Sequence, residues 1–214
     1  MSVRIPLYLL AKAPVEGHVK TRMQPFLTPF QSVELATTML KITMHKVAQS
    51  WPGRRVLAAS PDPGFPLFQE LCNEYGFEVE SQVSGDLGDR MAYCLENGLK
   101  TCGYAAVMGC DTPHVSESAL CGFYDSMVRG QNVVGPAVDG GFYFLGLNRF
   151  ERQIFGDIVW GENRVLSVLR ANARDNQIEL CEYSALRDID NWDDLCWLAS
   201  VDPFYNRFVS SPGR

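Results

Sequence analysis

An α/β layered sheet is the fold class that this 214-residue sequence predicts. Five or more short apolar runs of strand length alternate with segments of helical periodicity. The polar motifs fall in the segments that follow strands, which would set them along one rim of a sheet. The length suits one domain with a substantial core. That domain is expected over residues 1–200, with a peripheral C-terminal tail over 201–214 that carries Pro203, Pro212 and Gly213.

In order, residues 3–10 read as a first strand, with Pro6 pointing to an edge or a bulge. The next segment, residues 11–22, holds Lys12, Lys20 and Arg22 against one acid, Glu16, and Pro14 and Gly17 break regular structure there. A basic loop directly after the first strand is where α/β proteins often hold phosphates; a solvated cationic loop is the plainer reading. It is not a Walker loop, although Lys20-Thr21 matches that motif's last two residues. Thr28, Pro29 and Gln31 spell an N-cap, a first-turn proline and a capping box for a long helix. Arg55–Ala59 reads as a second strand, Pro66–Tyr75 as a helix stopped by Gly76, and Phe77–Glu80 as a strand. Gly85 and Gly88 then give a turn the freedom to approach a ligand. Asp86 reads as the cap of the next helix, and Asp89 also fits capping. Arg90 is unexpected in a first turn, where a bound anion or an acidic neighbour would offset its charge.

Tyr104–Met108 reads as a buried strand running into Gly109-Cys110-Asp111-Thr112-Pro113, so Asp111 stands just past a carboxyl end. A carboxylate there suits a divalent ion held against substrate phosphates, or simply a turn. Ser116-Glu117 opens another helix. Asn132–Ala137 and Phe142–Leu147 read as strands around Asp139-Gly140-Gly141, which fits a plain hairpin or a turn whose backbone meets a substrate. Residues 150–175 read as helical segments around Ile158-Val159-Trp160-Gly161, where Trp160 is either a stacking platform or core. Ile178–Cys181 reads as a strand. In an extended segment Asp188 and Asp190 face the same side, which would offer a second metal ligand; alternatively Asp190 or Asn191 caps the following helix.

Composition narrows the function. Net charge is -6, from 19 basic and 25 acidic residues, which argues against a nucleic-acid partner. No apolar run approaches the ~20 residues of a membrane span. The N-terminus lacks a signal peptide's apolar core, so the expected location is the cytoplasm. Seven cysteines without a Cys-x-x-Cys spacing read as reduced, mostly buried small hydrophobes. The three histidines show no zinc spacing.

Taken in order, Ala11-Lys12-Ala13-Pro14 with Gly17-His18-Val19-Lys20-Thr21-Arg22, Gly85-Asp86-Leu87-Gly88-Asp89-Arg90-Met91, Gly109-Cys110-Asp111-Thr112-Pro113, Gly135-Pro136-Ala137 with Asp139-Gly140-Gly141, and Asp188-Ile189-Asp190 form a series. Over about residues 7–199 this series resembles bacterial nucleotide-diphospho-sugar-transferase-like proteins of the GT-A superfamily, a group long carried as a domain of unknown function. The group is itself similar to nucleotide-sugar glycosyltransferases and to small nucleotidyltransferases of the phospholactate guanylyltransferase type.

The resemblance implies a single-domain, three-layer GT-A fold with a mixed, mostly parallel central sheet. By the same likeness Lys12, Lys20 and Arg22, with Pro14, Gly17, Thr21, Gly85, Asp86 and Arg90, would surround the nucleotide phosphates. Asp111 would be the central ligand of Mg²⁺ or Mn²⁺, and Asp190 the second. Asp139, Gly140 and Gly141, with Trp160, would face the sugar or acceptor, and Asp111 and Asp139 would be catalytic. The implied function is metal-dependent transfer from a nucleotide-sugar to a small-molecule acceptor. One alternative is nucleotidyl transfer from a nucleoside triphosphate with release of pyrophosphate. The other is a non-catalytic nucleotide-binding module, motivated by the lack of a Gly-Gly loop after the first strand and of a first aspartate before Cys110.

Overall fold

Side chains that alternate across a pleat turn the apolar runs into strands: β1 (Leu7–Lys12), β2 (Arg55–Ser60), β3 (Glu78–Ser81), β4 (Ala105–Met108), β5 (Asn132–Pro136), β6 (Phe142–Leu147) and β7 (Leu180–Glu182). In the computed structural model, which describes residues 4–210, they form one sheet in the order β3-β2-β1-β4-β6-β5-β7. Strand β1 pairs in parallel with β2 and β4, β2 with β3, and β5 with β7. Only β6 is reversed, antiparallel to both β4 and β5. The sheet is therefore mixed and mostly parallel, as expected.

Among the described residues there are seven α-helices: α1 (Pro29–Ser50), α2 (Pro66–Tyr75), α3 (Leu87–Cys102), α4 (Glu117–Val128), α5 (Val165–Asp175), α6 (Trp192–Val201) and α7 (Asn206–Val209). Their starts follow the capping chemistry of the sequence. Thr28 and Gln31 form the capping box of α1, Asp86 and Asp89 that of α3, and Asn191 and Asp194 that of α6. Gly76 ends α2 in a left-handed conformation.

The strands bury both faces. Leu7, Leu9, Leu57 and Met108 pack with Leu40 and Met44 of α1, Phe68 of α2 and Phe123 of α4. Tyr8, Val56, Ala58 and Val107 pack on the other side with Met91 and Leu95 of α3 and Leu166 and Leu169 of α5. Helices thus cover both faces of the sheet, giving three layers.

The structure corrects several expectations. Pro6 precedes β1, and β1 lies inside the sheet rather than at an edge; Val3 lies outside the described residues. Between residues 150 and 175 the helical stretches are a short 3-10 turn, Arg152–Phe155, and then α5, while Ile158 to Gly161 lie between them. The last strand starts two residues later than expected. Of the seven cysteines, all free, Cys72 and Cys94 are buried, Cys102, Cys110 and Cys181 are partly buried, and Cys121 and Cys196 are exposed.

The segment after residue 200 is not peripheral either, although residues 211–214 lie outside the described residues. Tyr205 is 2% exposed and Phe208 3%. Both join a third cluster with Met23, Leu35, Leu198 and Ile189. Among the described residues no helix is long and apolar enough to cross a membrane.

Because Phe208 is buried in that cluster, Phe208→Ala should lower unfolding stability by about 3 kcal/mol. Urea denaturation measures this; a loss below about 0.5 kcal/mol, the surface range, would show that the segment adds nothing to the core.

Candidate active site

Parallel pairing puts the carboxyl ends of β1, β4, β5 and β7 at one edge of the sheet. The chain switches there from β1–β2 on one side to β4 on the other, the position where open α/β sheets bind ligands. A cavity of about 520 Å³ opens at this edge. One wall is charged and comes from the segments after β1, β4, the β5–β6 hairpin and β7: Lys12, Lys20, Arg22, Asp111, Asp139, Asp188 and Asp190. An apolar wall comes from Leu87, Met91, Phe142, Trp160 and Val165.

Lys20 organises the charged wall. Its backbone is left-handed, with φ 48°, and its side chain is only 9% exposed. The ammonium donates to Asp111 Oδ1 at 2.5 Å, to the Ile189 carbonyl at 2.5 Å and to Asp190 Oδ1 at 3.3 Å. Burial works against the charged lysine, but the Asp111 and Asp190 carboxylates outweigh it and hold its pKa above the ordinary value. Arg22 stands 3.9 Å from Asp190 Oδ2 and is largely exposed, so that pair is weak. Lys12 donates to the His18 carbonyl at 2.9 Å and stays exposed.

The acids are placed by backbone. Ile189 N–H donates to the Asp111 carbonyl at 2.9 Å, which ties the segment after β7 to the end of β4. Asp188 is the acid most altered by its surroundings. Burial, and then the charges of Asp111, Asp139 and Asp190, push its pKa up to about 8. Asp139 is exposed, and its Oδ1 accepts from Gly141 N–H at 2.9 Å, fixing the hairpin turn. Cys110 donates its thiol to the Leu10 carbonyl, and burial raises its pKa, so it is not a reactive thiolate.

Of the residues singled out in the sequence, Lys12, Lys20, Thr21, Arg22, Asp111, Asp139, Gly141, Trp160 and Asp190 line the cavity. Pro14, Gly17, Gly85, Asp86, Arg90 and Gly140 do not. Pro14 is buried, and Gly17 adopts φ 74° in a turn. Gly85 packs against Asp89, and Asp86 caps α3. Arg90 donates to Gln82 Oε1, a neutral amide, at 3.3 Å, and its buried Nε has no hydrogen-bond partner. Gly140, with φ 94°, is needed for packing, because a Cβ there would collide with the Asn163 carbonyl. Its own carbonyl accepts from Leu166 N–H, anchoring the start of α5.

Sequence reasoning left Asp188 without a role of its own and missed the apolar wall. Leu87 and Met91 look like core positions of an amphipathic helix, and nothing local marks them as cavity residues. Trp160 is both wall and packing: it meets Phe142 and Phe155 edge to face. It also lies against Gly88, where a Cβ would come within 2.6 Å of its ring.

Among the described residues, no three His, Cys, Asp or Glu side chains form a group able to hold a metal ion by themselves. Asp111 and Asp190 nevertheless direct one oxygen each at a common point, the Lys20 ammonium. Two hard oxygen donors aimed at one cation fit Mg²⁺ or Mn²⁺ as half a site, which substrate phosphates would complete.

Residues 43–162 match a family model described as "Uncharacterized protein conserved in bacteria (DUF2064)". No curated protein matches the chain. A Desulfovibrio desulfuricans protein provisionally described as a nucleotide-diphospho-sugar transferase is similar in structure, with TM-score 0.81, 20% identity, and coverage of 96% of this chain and 98% of that one. A cytidylyltransferase from Leptospira borgpetersenii has TM-score 0.58 and 12% identity, over 97% of this chain and 93% of the other. The Rv0371c protein of Mycobacterium tuberculosis, in its complex with manganese, has TM-score 0.51 and 18% identity, over 97% and 99%. These likenesses establish the fold.

The Asp188 carboxyl gives the site a pH signature. Below its ordinary pKa of 3.8 it is protonated whether the chain is folded or not; between there and about 8 the folded chain keeps a proton that the unfolded chain releases. Stability therefore falls as pH rises through this window. Asp188→Asn should lose less thermal stability than the wild type between pH 5 and pH 9, conditions that bracket the upper part of that window. Parallel unfolding curves for the two proteins across that range would contradict this.

Proposed function

We propose that the chain, which belongs to the DUF2064 family of proteins conserved in bacteria, is a metal-dependent transferase that moves a sugar from a nucleotide-sugar to a small-molecule acceptor. The observation that carries this reading is the joining of Lys20, Asp111 and Asp190 at the carboxyl edge of β1 and β4, in one cavity that also has an apolar lining. The charged wall suits a diphosphate and the apolar wall suits the less polar part of a donor or acceptor. The provisional description of the Desulfovibrio protein and the manganese complex of Rv0371c agree with this assignment.

In this reading Lys12 at the end of β1, with Thr21 and Arg22 from the loop after it, holds the phosphates, and Lys20 adds positive charge. Asp111 and Asp190 hold Mg²⁺ or Mn²⁺, which when bound neutralises charge on the diphosphate. The acceptor oxygen forms a bond to the sugar's anomeric carbon as the bond from that carbon to the diphosphate breaks. Asp139 receives the acceptor's hydroxyl proton on Oδ2, since Oδ1 is engaged by Gly141. Gly141 and Trp160 flank that acceptor, and the Trp160 face offers a surface for a sugar ring.

The likeness to a cytidylyltransferase favours a second reading, nucleotidyl transfer. There a substrate phosphate attacks the α-phosphorus of a nucleoside triphosphate and pyrophosphate leaves. The same basic loop and acids serve both reactions, and the leaving group separates them.

A thermal-shift panel of nucleotide-sugars and nucleoside triphosphates, with and without Mn²⁺, tests the assignment. One nucleotide-sugar at about 100 times its dissociation constant should stabilise the wild type by about 2.7 kcal/mol, only with Mn²⁺. Asp111→Asn should abolish that shift and reduce turnover by roughly 10²-fold or more. Pyrophosphate release from a triphosphate would select the second reading, and full activity in Asp111→Asn would remove both.

A further inference from the structure

The three acceptors around Lys20 account for all the hydrogen bonds that an ammonium can donate. No donor is left for a phosphate while this arrangement holds. The two carboxylates, in contrast, keep contact with the cavity: the Asp111 side chain is 51% exposed and that of Asp190 40%. Asp111 Oδ1 and Asp190 Oδ1 both face the ammonium, and an ion held by that same pair of oxygens would take the ammonium's place. An ion bound to oxygen at about 2.0–2.1 Å and an ammonium 2.5 Å from the same Asp111 oxygen cannot occupy it together. Lys20 is also able to leave. Its charge sits on a flexible four-carbon stem, and its backbone lies at the start of a short 3-10 turn, in the basic loop that follows β1 and carries the exposed Arg22.

We propose that Lys20 is the resident cation of the Asp111–Asp190 site, and that a divalent ion enters only by displacing its ammonium into the cavity, where it meets the substrate's phosphates. This rests on the metal-dependent reading above. Metal and diphosphate then bind with positive coupling. The metal alone must break three hydrogen bonds of the ammonium without return. With a diphosphate present, the displaced ammonium gains a new anionic partner. Lys20 is thus both a lock on the empty site and a ligand of the loaded one.

Mn²⁺ binding to the full chain without nucleotide, followed through the electron paramagnetic resonance of free Mn²⁺, tests the idea. Lys20→Met leaves the two carboxylates without their cation and should bind Mn²⁺ about tenfold or more tightly than the wild type. Lys20→Arg keeps a resident charge and should retain the weak affinity of the wild type. Equal or weaker Mn²⁺ binding by Lys20→Met would overturn the proposal.

A measurement on the wild type stands independently of whether Lys20→Met folds. Acetylation of Lys20, read by peptide mass spectrometry, should rise when saturating Mg²⁺ alone drives the ammonium out. Unchanged protection under saturating Mg²⁺ would equally overturn it. Failure of the transferase reading is seen elsewhere: no nucleotide-sugar or triphosphate would then stabilise the wild type with Mn²⁺, whatever the Lys20 variants do.

Discussion

Parallel pairing of β1 with both of its neighbours is the constraint from which the rest follows. A strand flanked in parallel on both sides needs a crossover each time the chain returns, and those crossovers supply the helices of both outer layers. It also sends every segment that follows a parallel strand to the same edge. The reversed strand β6 serves this arrangement, because its hairpin with β5 turns at that edge and delivers Asp139 and Gly141 there. Residues far apart in the chain thereby become one wall.

That wall would be unstable without its cations. Four acids, Asp111, Asp139, Asp188 and Asp190, are close enough for the charges of the others to raise the pKa of Asp188. Like charges at such separations resist ionisation together. Lys20 relieves two of them directly, and Arg22 faces Asp190 from the exposed side. The molecule carries an acidic excess overall, and within its site Lys20 and Arg22 offset part of the acidic charge.

The sequence made the local chemistry legible and left the long-range pairing hidden. Thr28, Pro29 and Gln31 announced α1, and Asp86 announced α3, because caps are written within four residues. Asp111 was recognisable because an apolar run precedes it and a proline follows closely. Its bond to Lys20 was not, because the partners are 91 positions apart, and Lys20 and Asp190 are 170 apart. No periodicity encodes such a contact. Gly140 misled for the opposite reason: its local peculiarity, a glycine in a turn, is answered by packing against Asn163. The segment after residue 200 hid its anchors among prolines, and only the fold shows that Tyr205 and Phe208 are buried.

Ile189 stands between Asp188 and Asp190 with none of its surface exposed, and it shares a cluster with Tyr205 and Phe208. The acidic half of the site is therefore held from behind by a turn of chain made after it. During synthesis the basic loop and Asp111 emerge first, and domains generally begin folding from the N-terminal side. Until residues 188–208 have left the ribosome, Lys20 has Asp111 but neither Asp190 nor the Ile189 carbonyl to hold it. A nascent or prematurely ended chain thus presents a half-made pocket with an unsatisfied lysine, and the working charge balance arises only with the last packing step.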